Sequence, residues 1–313
     1  MFLSDAEKIN LIQLNLNNTL TQIDTPVPSY RGKVRDIFDL GDELLIVTTD
    51  RVSAFDCVLG TVPFKGQFLT EQAVFWLEKS REIIDNHLLE RTDPRSLRCK
   101  KCVAIPIEMV VRGYIAGSLA REPPTTRGSA YGLRLDPALK NYDALDEVIV
   151  TPTTKAAVGF KDEATRKDAL VARGVVSAQL YDAMQEAALA LFKLGSAFAA
   201  TQDLILVDTK YEFGLVGDKL LLIDEIHSAD SSRYWIKSSY ATRMAFGHPP
   251  DMLDKERLRT HLITSGVDPN HPEHAKQFLT DAVKIDLSLH YWKLAEMLTG
   301  SALVPNIERP VYK

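Results

Sequence analysis

Cysteine is scarce in this sequence. Three thiols, Cys57, Cys99 and Cys102, in 313 residues cannot supply a disulfide framework, so a hydrophobic core must hold the fold and a reducing cytoplasm is the expected compartment. Cys99 and Cys102 form a lone CxxC. A structural zinc needs four ligands, and no second CxxC or nearby histidine pair completes this one; the spacing reads as coincidence, with a redox or metal role as the alternative. Basic charge is not in excess either. Thirty-seven Lys and Arg against 42 Asp and Glu give a net charge of −5, which excludes a chain whose main task is neutralising nucleic-acid backbone. No apolar run is long enough to span a bilayer, and Met1 to Lys8 lacks the basic start and apolar core of a secretory signal. Neither a membrane nor a nucleic-acid partner is expected. Histidines 87, 227, 248, 261, 271, 274 and 290 are scattered, and none is assigned to catalysis. His227 alone falls near a candidate site in sequence, and packing or a hydrogen bond explains it. Repeats, low-complexity tracts and flexible linkers are missing.

What is present is an ordinary globular composition, long enough for two lobes. Ile9 to Leu20 reads as a helix closed by Pro26 and Pro28. Lys33 to Leu40 and Glu43 to Thr49 read as a hairpin around Gly41-Asp42. Thr70 to Ser80 has helical spacing, and Val103 to Val111 is strand-like. Residues 121–160 carry prolines and glycines and read as long loops with little regular structure. A long helix follows at Ser177 to Ala200, and a last one at about Pro272 to Leu298, with Gly300 as its stop. Short-turn strands followed by mixed strands and helices predict an α+β architecture: an antiparallel-sheet N-lobe over residues 1–110, a mixed C-lobe over 111–313, and a cleft between them.

Two apolar segments end in charge. Leu204 to Gly214 runs into Asp208, Lys210 and Glu212, and Leu220 to Ile223 runs into Asp224 and Glu225. Alternation along a strand puts Asp208, Lys210 and Glu212 on one side, about 7 Å apart per two-residue step. An acid, base, acid row suits a metal-bound polyphosphate. Three other stretches carry anion-binding chemistry. Gly32, Lys33 and Arg35 open a strand where backbone can approach phosphate; the alternative is a solvated strand edge. Asp50 to Asp56 gathers Arg51, Ser53 and two acids, which turn chemistry would also explain. Arg112, Gly113, Gly117 and Ser118 follow an apolar strand and can hold a phosphate or carboxylate, or form an exposed turn.

Taken in order, these segments resemble the SAICAR synthetase family. The matching runs are Gly32 to Asp36, Thr49 to Asp56, Pro63 to Gly66, Glu108 to Ser118, Thr151 to Ala156, Asp208 to Gly214 and Asp224 to Arg233. They cover roughly residues 30 to 235. The resemblance implies a cytoplasmic, ATP-dependent and Mg²⁺-dependent ligase, a monomer or small homo-oligomer, that joins a carboxyaminoimidazole ribonucleotide to L-aspartate in purine biosynthesis. It implies an ATP site with Gly32, Lys33 and Arg35 near phosphate and the Glu108 to Val110 backbone beside adenine. Ser53, Asp56, Arg112, Ser118 and Arg233 would bind substrate. Glu212 and Asp224 would carry magnesium, with Asp208 and Lys210 organising the same site.

Two segments depart from the family pattern. Gly159 to Glu163 puts Phe160-Lys161 where the longer enzymes have Glu-His. Ser239 to Arg243 puts Ala241-Thr242 where the family's Ser-(Phe/Tyr)-Asp-Lys-Gln has an adjacent acid and base. They leave open a relative that uses another amine or azole carboxylate. A catalytically silent nucleotide-binding protein is the alternative of another class, which intact Glu212 and Asp224 oppose. The hairpin register is itself an expectation. Alternation lets both acids meet one ion directly across the ladder if the loop has three residues, Gly217 to Lys219, or a bulge has the same effect, so that Glu212 opposes Asp224.

Overall fold

The computed structural model describes residues 2–155 and 163–308. The chain opens with helix α1 (Asp5–Leu14), several residues earlier than its apolar spacing suggests. Ser4 and Glu7 form a reciprocal capping box that fixes the start. Five strands of a first antiparallel sheet come from β1 (Tyr30–Arg31), β2 (Arg35–Asp39), β3 (Glu43–Thr48), β6 (Leu88–Asp93) and β7 (Ser96–Lys100), in the order β1-β2-β3-β7-β6. Between β3 and β6 lie a separate hairpin, β4 (Arg51–Ala54) and β5 (Cys57–Thr61), and helix α2 (Lys65–Ser80). Phe55 and Asp56 both take positive φ in the turn of that hairpin, the conformation that a tight two-residue connection demands.

The second sheet holds β8 (Val103–Tyr114), β9 (Ala144–Thr154), β10 (Leu204–Val216), β11 (Lys219–Ile223) and β12 (Ser232–Ile236). β8 and β10 are its centre; β9 flanks β8, and β11 and β12 share the other side of β10. β9 corrects the expectation of loops across 121–160. It is a polar edge strand, mostly exposed over Ala144 to Val148, so no apolar alternation announced it, and Pro152 is tolerated at an edge. The change of sheet falls between Lys100 and Val103, and β8 runs unbroken through residue 110. A division at 110 would cut the central strand.

Helices α3 (Gly117–Arg121), α4 (Lys167–Ala172), α5 (Ala178–Thr201), α6 (Lys237–Ala245), α7 (Glu256–Thr264) and α8 (Asp281–Thr299) complete the fold. The expected last helix splits into a 3-10 turn at Pro272–Phe278 and α8, which Thr280 caps; Gly300, φ +66, stops it as predicted. α5 buries Met184, Ala188, Leu191 and Phe192 in the main core. At Gly195 it lets a buried imidazole in, since a Cβ there would lie 2.4 Å from His227 Cε1. His227 is therefore a packing residue, its Nε2 2.6 Å from the Tyr211 hydroxyl. Among the described residues no helix is long and apolar enough to cross a membrane.

The N-terminal helix is tied to the C-terminal one. Lys8 and Glu296 form a buried ion pair, and Glu296 Oε1 also accepts from Trp292 Nε1 and Leu303 N, each at 3.1 Å. Lys8→Met leaves that carboxylate buried with its hydrogen bonds but no counter-charge, so unfolding free energy should drop by about 3 kcal/mol. Adding Glu296→Gln, which keeps the Oε1 acceptor for Trp292 and Leu303 and removes the charge, should restore much of it. Denaturant titration of the single and double variants checks both.

Candidate active site

One face of the central sheet carries a polar stripe. Glu212 pairs with Glu108 across β10 and β8, Lys210 with Val110, and Asp208 with Arg112. Alternation therefore brings Asp208, Lys210 and Glu212 to one side, as the sequence predicted. At one end Lys210 Nζ donates to Glu108 Oε1 at 2.6 Å and to Glu212 Oε1 at 2.8 Å, while Lys155 Nζ pairs with Glu212 Oε2. Burial works against the charge on both lysines. Glu212, joined by Glu108 at Lys210, outweighs it and raises both pKa values.

This end opens on a cavity of about 280 Å³ between the two sheets. Val34, Ile37, Leu44, Ile46, Ala104 and Ile223 make apolar walls. Gly32, Lys33, Arg35, Lys155, Glu212 and Asp224 make a charged mouth. An apolar slot with convergent charges is the shape of a nucleotide site. Lys33 pairs with Asp56 on the exposed hairpin turn. Arg35 reaches Asp224 and, at 2.6 Å, Glu225 Oε1. The Asp224 carboxyl is held well below the usual carboxylate range, because Arg35, Lys210 and Lys155 together overcome burial.

The hairpin register corrects the three-residue loop. Val216 pairs with Lys219 and Glu212 with Ile223, so the turn is Gly217-Asp218 alone. Asp224 still lines the cavity with Glu212. β11 ends at Ile223, and Asp224 adopts φ +63; strand alternation does not govern a residue beyond the strand. Two carboxylates in one mouth fit magnesium, which takes one or two from the protein and completes its shell with phosphate oxygens and water.

The stripe's other end is built from arginine. Asp208 Oδ2 accepts from Arg112 Nη1 at 3.1 Å and from Arg233 Nη1 at 2.8 Å. Arg112 also donates to Thr151 Oγ1 at 2.8 Å and to Ser118 Oγ at 2.9 Å. Gly117, φ +59, leaves room for the Arg233 guanidinium, whose Nη1 would lie 2.5 Å from any Cβ there. Arg112, Ser118 and Arg233 are thus brought together as expected. Asp208 is not placed with Glu212 and Asp224; it holds two arginines. Glu108 contributes a side chain to the lysine end, and Val110 lies mid-strand, flanked by Lys210 and Thr151. Neither residue is among those that line the cavity.

Sequence reasoning missed Lys255, Arg121 and Arg259. Glu256 binds Arg233 Nη2 at 3.0 Å and Arg259 Nη1 at 3.1 Å, and Arg121 feels the same group. Lys255 Nζ donates to Ser53 Oγ at 3.1 Å. Ser239 to Arg243, one of the two departures, lies on α6, where Tyr240 stacks on Trp235 and Arg243 pairs with Asp251. An adjacent acid and base, Asp254-Lys255, stands at the head of α7, where Asp254 Oδ2 accepts from Tyr234 N at 2.8 Å. In the other departure, positions 159–162 lie outside the described residues.

A Cys–His contact exists beside the cavity, Cys99 Sγ to His87 Nε2 at 3.8 Å. Burial pushes that thiol up to about 12, the wrong direction for a nucleophile. A part-apolar, part-charged cavity joined by one polar stripe to an arginine cluster is a site built to position charge. The SAICAR synthetase family model matches residues 28–274. The phosphoribosylaminoimidazole-succinocarboxamide synthase of Cytophaga hutchinsonii is 42% identical over 274 residues, 87% of this chain and 88% of that one. A SAICAR synthase from Saccharomyces cerevisiae, solved with SAICAR, superposes with a TM-score of 0.75 at 30% identity, over 90% of this chain and 98% of that one. A type-2 SAICAR synthetase solved with ADP shares the fold, with a TM-score of 0.66 at 22% identity over 88% and 99% of the two chains. The chain belongs to the SAICAR synthetase family.

Proposed function

We propose that this ligase joins the carboxylate of carboxyaminoimidazole ribonucleotide to the amine of L-aspartate, using ATP and Mg²⁺, in a reducing cytoplasm. The observation that carries the reading is the two-ended stripe. One end can serve a nucleotide's phosphates, the other a substrate phosphate, and both lie on one rigid sheet. A carboxylate is a poor acyl donor. Transfer of the ATP γ-phosphate to it gives an acyl phosphate and ADP; the amine nitrogen then attacks the carbonyl carbon, phosphate leaves, and the amine loses a proton.

Lys33, Arg35, Lys155 and Lys210 would neutralise phosphate oxygens, and Arg112, Ser118, Arg121 and Arg233 would fix the ribonucleotide phosphate. Glu212 and Asp224 would hold magnesium, which when bound would offset charge building on the transferred group. Ser53 and Lys255, joined by a 3.1 Å hydrogen bond, would hold the amino acid's carboxylate. Burial pushes the Lys255 ammonium down to about 8. It is charged below that value and neutral above it, so the KM for aspartate should rise as pH passes through about 8. Lys255→Arg, charged throughout, should flatten that rise; an unchanged profile would remove Lys255 from the aspartate site.

The direct test is incubation with ATP, carboxyaminoimidazole ribonucleotide and aspartate, followed for ADP and the succinocarboxamide. ADP formed only with a different amine would overturn the aspartate assignment. No ADP with any pair would favour a silent nucleotide-binding protein.

A further inference from the structure

Arg51, at the start of β4, is buried and is not among the residues that line the cavity. It holds the turn that does. Its Nε donates to Lys33 O at 3.1 Å and its Nη2 to Gly32 O at 2.9 Å. Nη1 donates to Thr21 O at 2.7 Å, and Nη2 also to Asp36 Oδ1 at 2.8 Å. Asp36 is fully buried, and its Oδ2 accepts from Ile23 N at 2.8 Å. One guanidinium thus ties three backbone carbonyls and a carboxylate from before, within and after the turn.

The next carbonyls are tied as well. Val34 O accepts from Thr49 N at 2.9 Å and from Thr49 Oγ1 at 2.8 Å, and Arg35 O accepts from Gly32 N at 2.7 Å. The four consecutive carbonyls of Gly32 to Arg35 therefore have internal donors. A trans peptide sets its N–H opposite its C=O. With Gly32 O and Lys33 O turned to Arg51, the N–H groups of Lys33 and Val34 point away from it. Residues 32–35 line the cavity and Arg51 does not, so that direction is the cavity side. Neither N–H donates to a protein acceptor among the described residues. Successive free N–H groups make an anion cradle.

We propose that Arg51 is a positioning residue for the nucleotide's phosphates: it turns the Gly32 and Lys33 carbonyls inward and so presents the Lys33 and Val34 amides to a phosphate. The proposal rests on the reading of this turn as the phosphate side of the ATP site. Burial of Asp36 requires only a cation, whereas the turn requires a fork. Arg51→Lys separates the two needs, because an ammonium keeps the charge beside Asp36 but cannot hold the Gly32, Lys33 and Thr21 carbonyls at once.

In Arg51→Lys the Kd for ADP, measured by calorimetry in MgCl₂, should rise about 10- to 100-fold, the equivalent of one hydrogen bond to a charged group. The KM for ATP should rise with it, and the KM for the ribonucleotide should stay within about twofold. A role in folding alone would lower the melting temperature without that split. Arg51→Met with Asp36→Asn leaves no buried charge unpaired; it should show the same split and decides the matter if Arg51→Lys does not fold. Hydrogen exchange across residues 30–36 reads the turn itself: saturating ADP should slow exchange there in the wild type and much less in Arg51→Lys. Unchanged ADP affinity and protection in the variant, or ATP and ribonucleotide KM values that rise together, would overturn the proposal and leave the phosphate turn standing. ADP bound to the wild type without slowing exchange across 30–36 would overturn the reading of the turn and the proposal with it.

Discussion

Asp224→Asn is expected to lower kcat by on the order of 10³-fold with little change in melting temperature. The substitution keeps the shape of the side chain and removes its charge. Asp224 is one of two carboxylates in the cavity mouth, and a carboxamide is a weak magnesium ligand. Arg35 loses one partner but keeps Glu225 at 2.6 Å, so no cation is left alone and the local fold should survive. The loss should fall on kcat more than on the KM for the ribonucleotide, because the arginine end of the stripe is untouched. Steady-state kinetics beside a thermal melt separate these effects. Full activity would refute the magnesium assignment, and a collapse of the melt would make Asp224 a structural residue. Asp218→Asn, in the turn of the same hairpin, should be silent and serves as the control.

The contrast between Asp208 and Asp224 shows how far the sequence could be read. Local patterns carry what depends on neighbours in the chain. Period-two alternation put Asp208, Lys210 and Glu212 on one face, and that placement is realised. Gly32, Lys33 and Arg35, read as a phosphate-facing strand start, line the cavity. Partner identity was not legible, because it depends on which strand lies alongside. Asp208 meets Arg112 and Arg233 from β8 and β12, whereas Glu212 meets Lys155 from just past β9. Asp224 was read through an alternation rule that holds only while a strand lasts, and one positive φ ended it. β9 was invisible for a related reason: an edge strand that buries little apolar surface has no hydrophobic period to show. Arg121 ends α3, Lys255 precedes α7 and Arg259 lies on it, and only tertiary packing brings Arg121 and Arg259 to Glu256 beside Arg233 and Lys255 to Ser53.

Arg233→Met should raise the KM for the ribonucleotide at least about 30-fold while leaving the KM for ATP within about twofold. Arg233 bonds both oxygens of Asp208, at 3.0 and 2.8 Å, and Glu256 at 3.0 Å, with its side chain 17% exposed. Both carboxylates outweigh burial and raise its pKa, so it is charged at any workable pH. Truncating one member of a buried, hydrogen-bonded charge cluster costs about 2–5 kcal/mol, and 1.4 kcal/mol is about tenfold in affinity. The effect is larger than the loss of one phosphate contact. Asp208 would keep only Arg112 and Glu256 only Arg259 among the close pairs, and two carboxylates short of counter-charge would then face an incoming phosphate. Arg233→Lys should recover little, since an ammonium cannot fork between Asp208 and Glu256 as a guanidinium does. Arg233→Met with Glu256→Gln should recover part of the loss by removing one of those exposed negative charges. If the ATP and ribonucleotide KM values rise together instead, the two ends of the stripe are not separate sites.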